Sequence, residues 1–314
     1  MVVNSQAIQA LFVSYSIKFN KALTETTVNY QRIAMVVPSS TRETTYAWLG
    51  QAPEMREWLD SRTIQNLNAY DYTIKNRTFE MTTKVPVNDI ADDQYGIYGP
   101  LVSEMGRSAK KHPDELVFEL LGNGFKEKCY DGKPFFSTEH PTPDGTQSNM
   151  GTGKLNPENY ALARCSMMTV RGDKGKPLNI IPDLLVVAPQ NEAVARELLF
   201  ADLIAGTSNV NKGTCELLVV PELAAYPDQW YLLCTNRYVK PFVFQDRERP
   251  KLVCKNKETD DNVFFDDEII YGIKARYNAG FGLWQLAYGS TGEDVGEIAA
   301  GSTGEDAGEI TAKG

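Results

Sequence analysis

On either side of Asn76 and Arg77 the chain alternates apolar and polar residues with a strict period of two. Tyr70, Tyr72 and Ile74 alternate with Asp71, Thr73 and Lys75. Beyond the turn, Phe79, Met81, Thr83, Val85 and Val87 alternate with Glu80, Thr82, Lys84 and Pro86. Period two sends successive side chains to opposite faces of a strand, so each run offers an apolar face that must be covered. Two such runs about a polar turn predict a long antiparallel hairpin. Strands of about ten residues exceed the usual five or six, and a two-stranded arm alone is marginal. The pattern therefore predicts a protruding arm that something else covers, with contact to another subunit as the natural cover.

The flanking segments call for helices. Ile8, Leu11, Phe12, Tyr15 and Phe19 share one face at helical spacing, with Asn4 or Ser5 as cap, predicting a helix over 5–20. It packs either on its own core or on a neighbour. A short helix opens at Pro53 in PEMREWL, since proline suits the first helical position. A long helix follows from Pro100, with Leu101, Met105 and Ala109 on one face. His112-Pro113 kinks or restarts it, and Val117, Leu120 and Leu121 resume it before Gly122-Asn123-Gly124. His112 reads as a polar residue at that kink.

From 142 to 158 the chain turns to Gly, Thr, Asn, Asp and Pro, an exposed loop or boundary. DLLVVAP (183–189) then reads as a buried strand and NEAVARELLF (191–200) as a helix behind it. CELLVVP, WYLLCT, KPFVFQ and PKLVC follow as short strands. NVFF, EIIYGIKARY and GLWQLAY are the last strands of the folded body. Long helix, long hairpin and clustered short strands make an α+β protein.

The last 26 residues hold an internal repeat, GSTGEDVGEIAA and GSTGEDAGEITA. Without aromatic residues, and rich in glycine and acid, it reads as a flexible acidic tail. The formal net charge of the chain is −9; six acids and Lys313 give the stretch from Gly289 a charge of −5, leaving −4 on the rest. Nothing in this balance argues for a phosphate-seeking surface. No window approaches the ~20 apolar residues of a membrane span, and the N-terminus does not read as a secretory signal. Five scattered cysteines suit reduced thiols in a cytoplasm better than a disulfide framework.

Candidate chemistry concentrates in KCYDGKPFFSTEHP (128–141). Cys129 and His140 are a conceivable nucleophile and base, with Glu139 to orient the ring, which makes a cytoplasmic cysteine hydrolase one reading. Asp131 and Glu139 would add oxygens to a metal set, but none of these spacings is that of a recognised metal site. The reading preferred on residue chemistry is a tight Asp131-Gly132-Lys133-Pro134 turn, pinned by Phe135-Phe136. GTGKL (151–155) lacks the first glycine and the Ser or Thr of a phosphate loop, and Arg171-Gly172-Asp173 reads as a solvated turn. Trp48, Trp58, Trp230 and Trp284 read as core or contact residues. No catalytic, cofactor or metal site is assigned.

Longer stretches carry a resemblance. YQRIAMVVPSSTRETTYAWLGQAPEMREWLDSRTIQNL (30–67), YGIYGPLVSEMGRSAKKHPDELVFELL (95–121), CYDGKPFFSTEHP (129–141), KPFVFQDRERPKLV (240–253) and YGIKARYNAGFGLWQLAY (271–288) resemble, in the same order, the major head proteins of Mu-type tailed bacteriophages. The resemblance implies the Hong Kong 97-type capsid fold. Residues 1–44 would be an N-terminal arm, 45–90 the extended loop, 91–154 a peripheral domain with the spine helix at 92–124, and 155–260 the axial domain. Residues 261–288 would return to the periphery, ahead of the acidic tail 289–314. It also implies pentamers and hexamers closing into an icosahedral shell around double-stranded DNA that is held without sequence specificity. Scaffold, maturation protease and portal would be separate proteins, and the location would be the virion, with assembly in the host cytoplasm. An encapsulin-like compartment is the alternative within the fold. Trp48, Arg56, Trp58 and Arg62 fall in the loop that would reach a neighbour, and aromatic and arginine side chains are typical contact anchors.

Overall fold

The computed structural model describes residues 5–46, 72–92, 96–142, 145–172, 175–257 and 259–293. Trp48, Arg56, Trp58 and Arg62 lie outside the described residues. So do the helix expected at Pro53, Asp173, and the repeat tail beyond Glu293. The chain forms two compact units, Met1–Leu121 with Phe242–Gly282, and Gly122–Pro241 with Leu283–Gly314.

The first unit is built on a four-stranded sheet in the order Ala34–Pro38, Phe242–Lys255, Glu268–Phe281, Arg77–Pro86. The first pair is parallel and the other two are antiparallel. Ile269, Tyr271 and Ile273 point from one face of Glu268–Phe281 into the core, joined by Val85 and Leu252 from its neighbours. The helix Ser5–Glu25 lays Ile8, Tyr15 and Phe19 onto that face, and the helix Tyr98–Gly122 adds Val102, Met105 and Ala109. The two helices approach closely at Gly106, where a Cβ would stand 2.7 Å from the carbonyl oxygen of Phe19. The N-terminal helix thus buries its apolar face in its own unit, while Val13 and Ile17 stay exposed.

Among the described residues the expected hairpin does not form; Tyr70 and Asp71 lie outside them. Thr73–Lys75 pairs with Glu43–Thr45, and Arg77–Pro86 pairs along its whole length with Glu268–Phe281. Asn76 is a buried pivot between two sheets, not a turn tip. Its backbone N–H donates to Arg42 O at 2.9 Å, and its side-chain amide donates to Ser39 Oγ and Thr41 O. Period two fixes which face of a strand is apolar but not which strand lies beside it, and the long central strand buries that face under two helices.

Other expectations also need correction. KPFVFQ and PKLVC are parts of one strand, Phe242–Lys255, whose register shifts between Asp246 and Lys251. Pro250, which has no N–H to give a ladder, sits at that irregularity. NVFF is the helix Asp261–Asp266, because four apolar-leaning residues do not distinguish the two periods. Asn262 fixes the turn by donating its amide to Lys255 O and Glu268 O. GLWQLAY contains a 3-10 turn, Trp284–Leu286, before the strand Ala287–Ser290.

The long helix runs unbroken through Pro113. Next to the proline, Asp114 is fully buried. Its carboxylate accepts the backbone N–H groups of Asn29 and Tyr30 at 2.9 and 2.7 Å, where the short helix Tyr30–Ile33 begins, and Lys111 Nζ lies 3.3 Å away. His112 does more than mark a kink: its Nδ1 lies 2.9 Å from the Tyr277 hydroxyl and its ring packs on Phe79. Burial pushes its pKa down, Glu115 opposes that, and Arg77 adds to it.

The second unit holds a five-stranded sheet in the order Glu216–Val219, Leu184–Val187, Trp230–Leu233, Ala287–Ser290, Met150–Gly151. Its outer pairs are parallel and its inner pairs antiparallel. Leu184–Val187 and Trp230–Leu233 are buried at every position, as continuous apolar runs require. The helix Glu192–Phe200 packs behind this sheet. The helix Pro157–Thr169 starts at an Asn156 cap whose side chain accepts Asn159 N at 2.7 Å. Residues 122–154 belong to this unit and 242–255 to the first, a division that differs from the sequence boundaries at 154 and 260.

Replacing Asp114 by Ala strands two backbone donors and removes a buried charge-assisted contact. The variant should lose roughly 3 kcal/mol of stability, read as a lowered denaturant midpoint with an unchanged slope.

Candidate functional site

The segment Lys128–Thr142 folds as a tight turn followed by a buried return. Cys129 N donates to Lys133 O at 2.8 Å and Gly132 N to Cys129 O at 3.1 Å. Gly132 takes a φ of +80°, open to glycine at little cost. Asp131 Oδ1 accepts Lys133 N at 3.0 Å, the side-chain-to-backbone contact expected of an aspartate in a turn. Phe135 and Phe136 are fully buried, and Phe136 packs against Phe125 and Tyr231 with centroids 4.9 and 5.5 Å apart. The aromatic anchor read from the sequence is there.

Inside this loop lies a polar network that the sequence only half reveals. His140, fully buried, places Nδ1 2.6 Å from Asp131 Oδ2 and Nε2 3.0 Å from Asn149 Oδ1. Its ring stacks on Trp284, with centroids 4.0 Å apart and planes 4° from parallel. Cys129 Sγ donates to Asp131 Oδ1 at 3.1 Å. Asn149 is held in turn: its oxygen accepts Ser137 N at 2.9 Å, and its amide donates to Phe135 O and Trp284 O. Burial alone would raise the Asp131 carboxyl, but hydrogen bonds from His140, Cys129 and Lys133 N outweigh it and hold the group below its ordinary value.

This geometry does not build a cysteine nucleophile. Catalysis would need the imidazole between thiol and carboxylate; here the carboxylate stands between thiol and imidazole. Burial, reinforced by the charge of Asp131, pushes the Cys129 thiol far up, away from the reactive thiolate. Glu139 does not orient the ring, because it pairs with Lys133 Nζ at 3.0 Å at the surface. Asp131 takes that place.

Cys129, Asp131 and His140 bring their donor atoms within 4.8 Å of one another, which makes them the candidate metal cluster among the described residues. The 2.6 Å between Nδ1 and Oδ2 is a hydrogen-bond length. Two ligands of one zinc ion at about 2.05 Å and so close together would subtend roughly 80°, well short of tetrahedral. As arranged, the three groups share protons.

The remaining sequence candidates are structural. Gly153 O accepts Trp230 Nε1 and Ser290 Oγ, and Gly151 pairs in the sheet, so GTGKL presents no anion cradle. The backbone N–H of Arg171 donates to Gln147 Oε1, and Arg171 bridges to Pro177. Trp230 and Trp284 are buried. Sequence reasoning missed Asn149 and Trp284 as partners of His140. Local pattern carries no signal for either, and the sequence reading put Asp131 in the turn while giving the ring to Glu139.

A long helix and N-terminal helix on a sheet of long strands, and a second unit around a mixed five-stranded sheet, are the parts of a Hong Kong 97-type phage capsid protein. The chain is similar in structure to the subunit of the procapsid of bacteriophage JBD30, with a TM-score of 0.60 and 35% identity over 95% of this chain and 79% of that one. The family model of the Mu-like prophage major head subunit gpT matches residues 8–154, 150–223 and 224–297, and the chain belongs to that family. It is 36% identical over 296 residues to the major capsid protein of Escherichia phage Mu, covering 93% of this chain and 76% of the relative. With the Mu-like prophage FluMu major head subunit of Haemophilus influenzae it shares 30% over 298 residues, covering 94% and 76%.

Because Asp131 is depressed in the folded state, it contributes stability that is present above the unfolded carboxylate value near ~3.9 and lost as pH falls through its lower folded value. Denaturant midpoints should therefore decline below about pH 4. Asp131→Asn should be less stable at neutral pH and show a shallower acid decline than the parent.

Proposed function

We propose that this chain is a major capsid protein whose copies form pentamers and hexamers and close into an icosahedral shell around double-stranded phage DNA. The observation that carries the reading is the family match along nearly the whole chain, joined to a fold in which the long helix and long strands form one unit. The first unit corresponds to the peripheral domain, with Tyr98–Gly122 as its spine and Ser5–Glu25 as the arm. The second unit corresponds to the axial domain. The extended loop is assigned to 45–90, a range that includes the strand Arg77–Pro86. Scaffold, maturation protease and portal are separate partners, and the shell is assembled in the host cytoplasm before it becomes part of the virion.

Surface composition supports self-association. Phe264 and Phe265 stand 73% and 76% exposed on the short helix Asp261–Asp266, and Val13 and Ile17 are exposed on the N-terminal helix. Near-neutral charge over residues 1–288 suits a container whose cargo must be released, since a basic lining would bind phosphate strongly and in a salt-dependent way. Trp48, Arg56, Trp58 and Arg62 are the loop residues that we assign to contacts between copies.

Electron microscopy of the full chain expressed alone or with its scaffold should show closed shells, and particles from induced cells should contain DNA by their absorbance ratio. Protein that stays monomeric under both conditions overturns the reading; shells filled with an enzyme indicate a compartment of another kind. Trp58→Ala combined with Arg62→Ala should abolish or shrink the shells while leaving the circular dichroism of the subunit intact. Shells of normal size and stability would remove these two residues from the contact.

A further inference from the structure

We propose that His140 carries a proton on both ring nitrogens and, with Asp131, forms a buried ion pair that latches residues 128–142 to the loop at 145–149. The inference stands independently of shell formation, because it rests on which atoms face the ring. Asn149 fixes one side. With its oxygen toward His140, it accepts Ser137 N at 2.9 Å and gives its amide protons to Phe135 O and Trp284 O at 2.8 and 3.3 Å. Flipping that amide would set its N–H groups against Ser137 N–H and its oxygen against two carbonyls, losing three bonds at once. The atom facing His140 Nε2 is therefore an acceptor, and Nε2 must donate.

On the other side Nδ1 meets Asp131 Oδ2 at 2.6 Å, in the range of a charge-assisted bond. Asp131 already accepts Cys129 Sγ–H and Lys133 N–H through Oδ1, both of which favour its ionised form. An ionised carboxylate is acceptor-only, so Nδ1 must donate as well. A neutral imidazole has one donor; a ring with two acceptors in contact is an imidazolium. The Trp284 indole lies parallel at 4.0 Å and offers its π face to that cation. At the rim of the same loop, Lys133 and Glu139 pair with each other.

The latch ties together three places far apart in the chain: the turn at Cys129–Lys133, the loop at Asn149 and the segment at Trp284. Removing one partner of a buried ion pair leaves an uncompensated charge, so loss of Asp131 should free the whole segment and not merely one bond.

The chain has two histidines, so selective 15N-histidine labelling of the full protein yields two ring systems, and His112→Gln assigns them. The His140 ring should show two N–H groups at neutral pH. A single N–H, at either nitrogen, overturns the proposal. In Asp131→Asn the ring should drop to one N–H, and hydrogen exchange by mass spectrometry should show lost protection across 128–149 with protection kept at 184–187. A ring that keeps both protons in Asp131→Asn, or unchanged protection across 128–149, overturns the latch. If that variant does not fold, the spectrum of the unaltered chain decides the charge state.

Discussion

The strand Glu268–Phe281 is paired on both edges, with Phe242–Lys255 on one side and Arg77–Pro86 on the other. Its inward residues Ile269, Tyr271 and Ile273 are the floor onto which both long helices lay their apolar faces. A fourteen-residue strand buried along one face commits its neighbours: each must be long, extended and apolar every second residue. That constraint explains why the period-two run after Asn76 belongs here, and why the two strand-like runs around Pro250 form one strand despite the proline. The same sheet gives Tyr277 its place beside His112, so the helix is gripped next to Pro113, the one residue there with no N–H to donate.

Buried charge plays a parallel part in both units. Asp114 satisfies the first N–H groups of a short helix, and Asp131 holds the imidazole of His140. Asp114 takes its backbone donors from a segment distant in sequence and Asp131 takes its donors from within its own loop, so the first ties two segments together and the second closes one. Such ties contribute little net free energy compared with apolar packing, yet they punish alternative arrangements, which would leave a charge unpaired. For a subunit of a shell, whose copies must all adopt compatible surfaces, selecting one conformation is the more valuable contribution.

The cluster of Cys129, Asp131 and His140 shows how far residue chemistry goes before geometry is needed. A cysteine and a histidine eleven positions apart suggest a nucleophile and its base, and an aspartate between them suggests a metal site. The order of the groups in space decides otherwise: thiol to carboxylate to imidazole, with both ring nitrogens engaged. Asp-Gly turn chemistry and the Phe135-Phe136 anchor were legible in the sequence because both are local. Asn149 and Trp284 were not, because nothing near them in the chain points to a histidine.

By itself the sequence determined the amphipathic helices, the buried strands Leu184–Val187 and Trp230–Leu233, the tight turn at Asp131-Gly132, the α+β class and, through long ordered matches, the family. These follow from periodicity, turn propensity and extended similarity, all of which are written along the chain. Only the tertiary structure decided which strand lies beside which, that 262–265 is helical, and that His140 is bound by an aspartate and an asparagine. Pairing and burial are set by competition among distant segments for the same apolar surface and the same few donors and acceptors. No local pattern encodes the outcome of that competition.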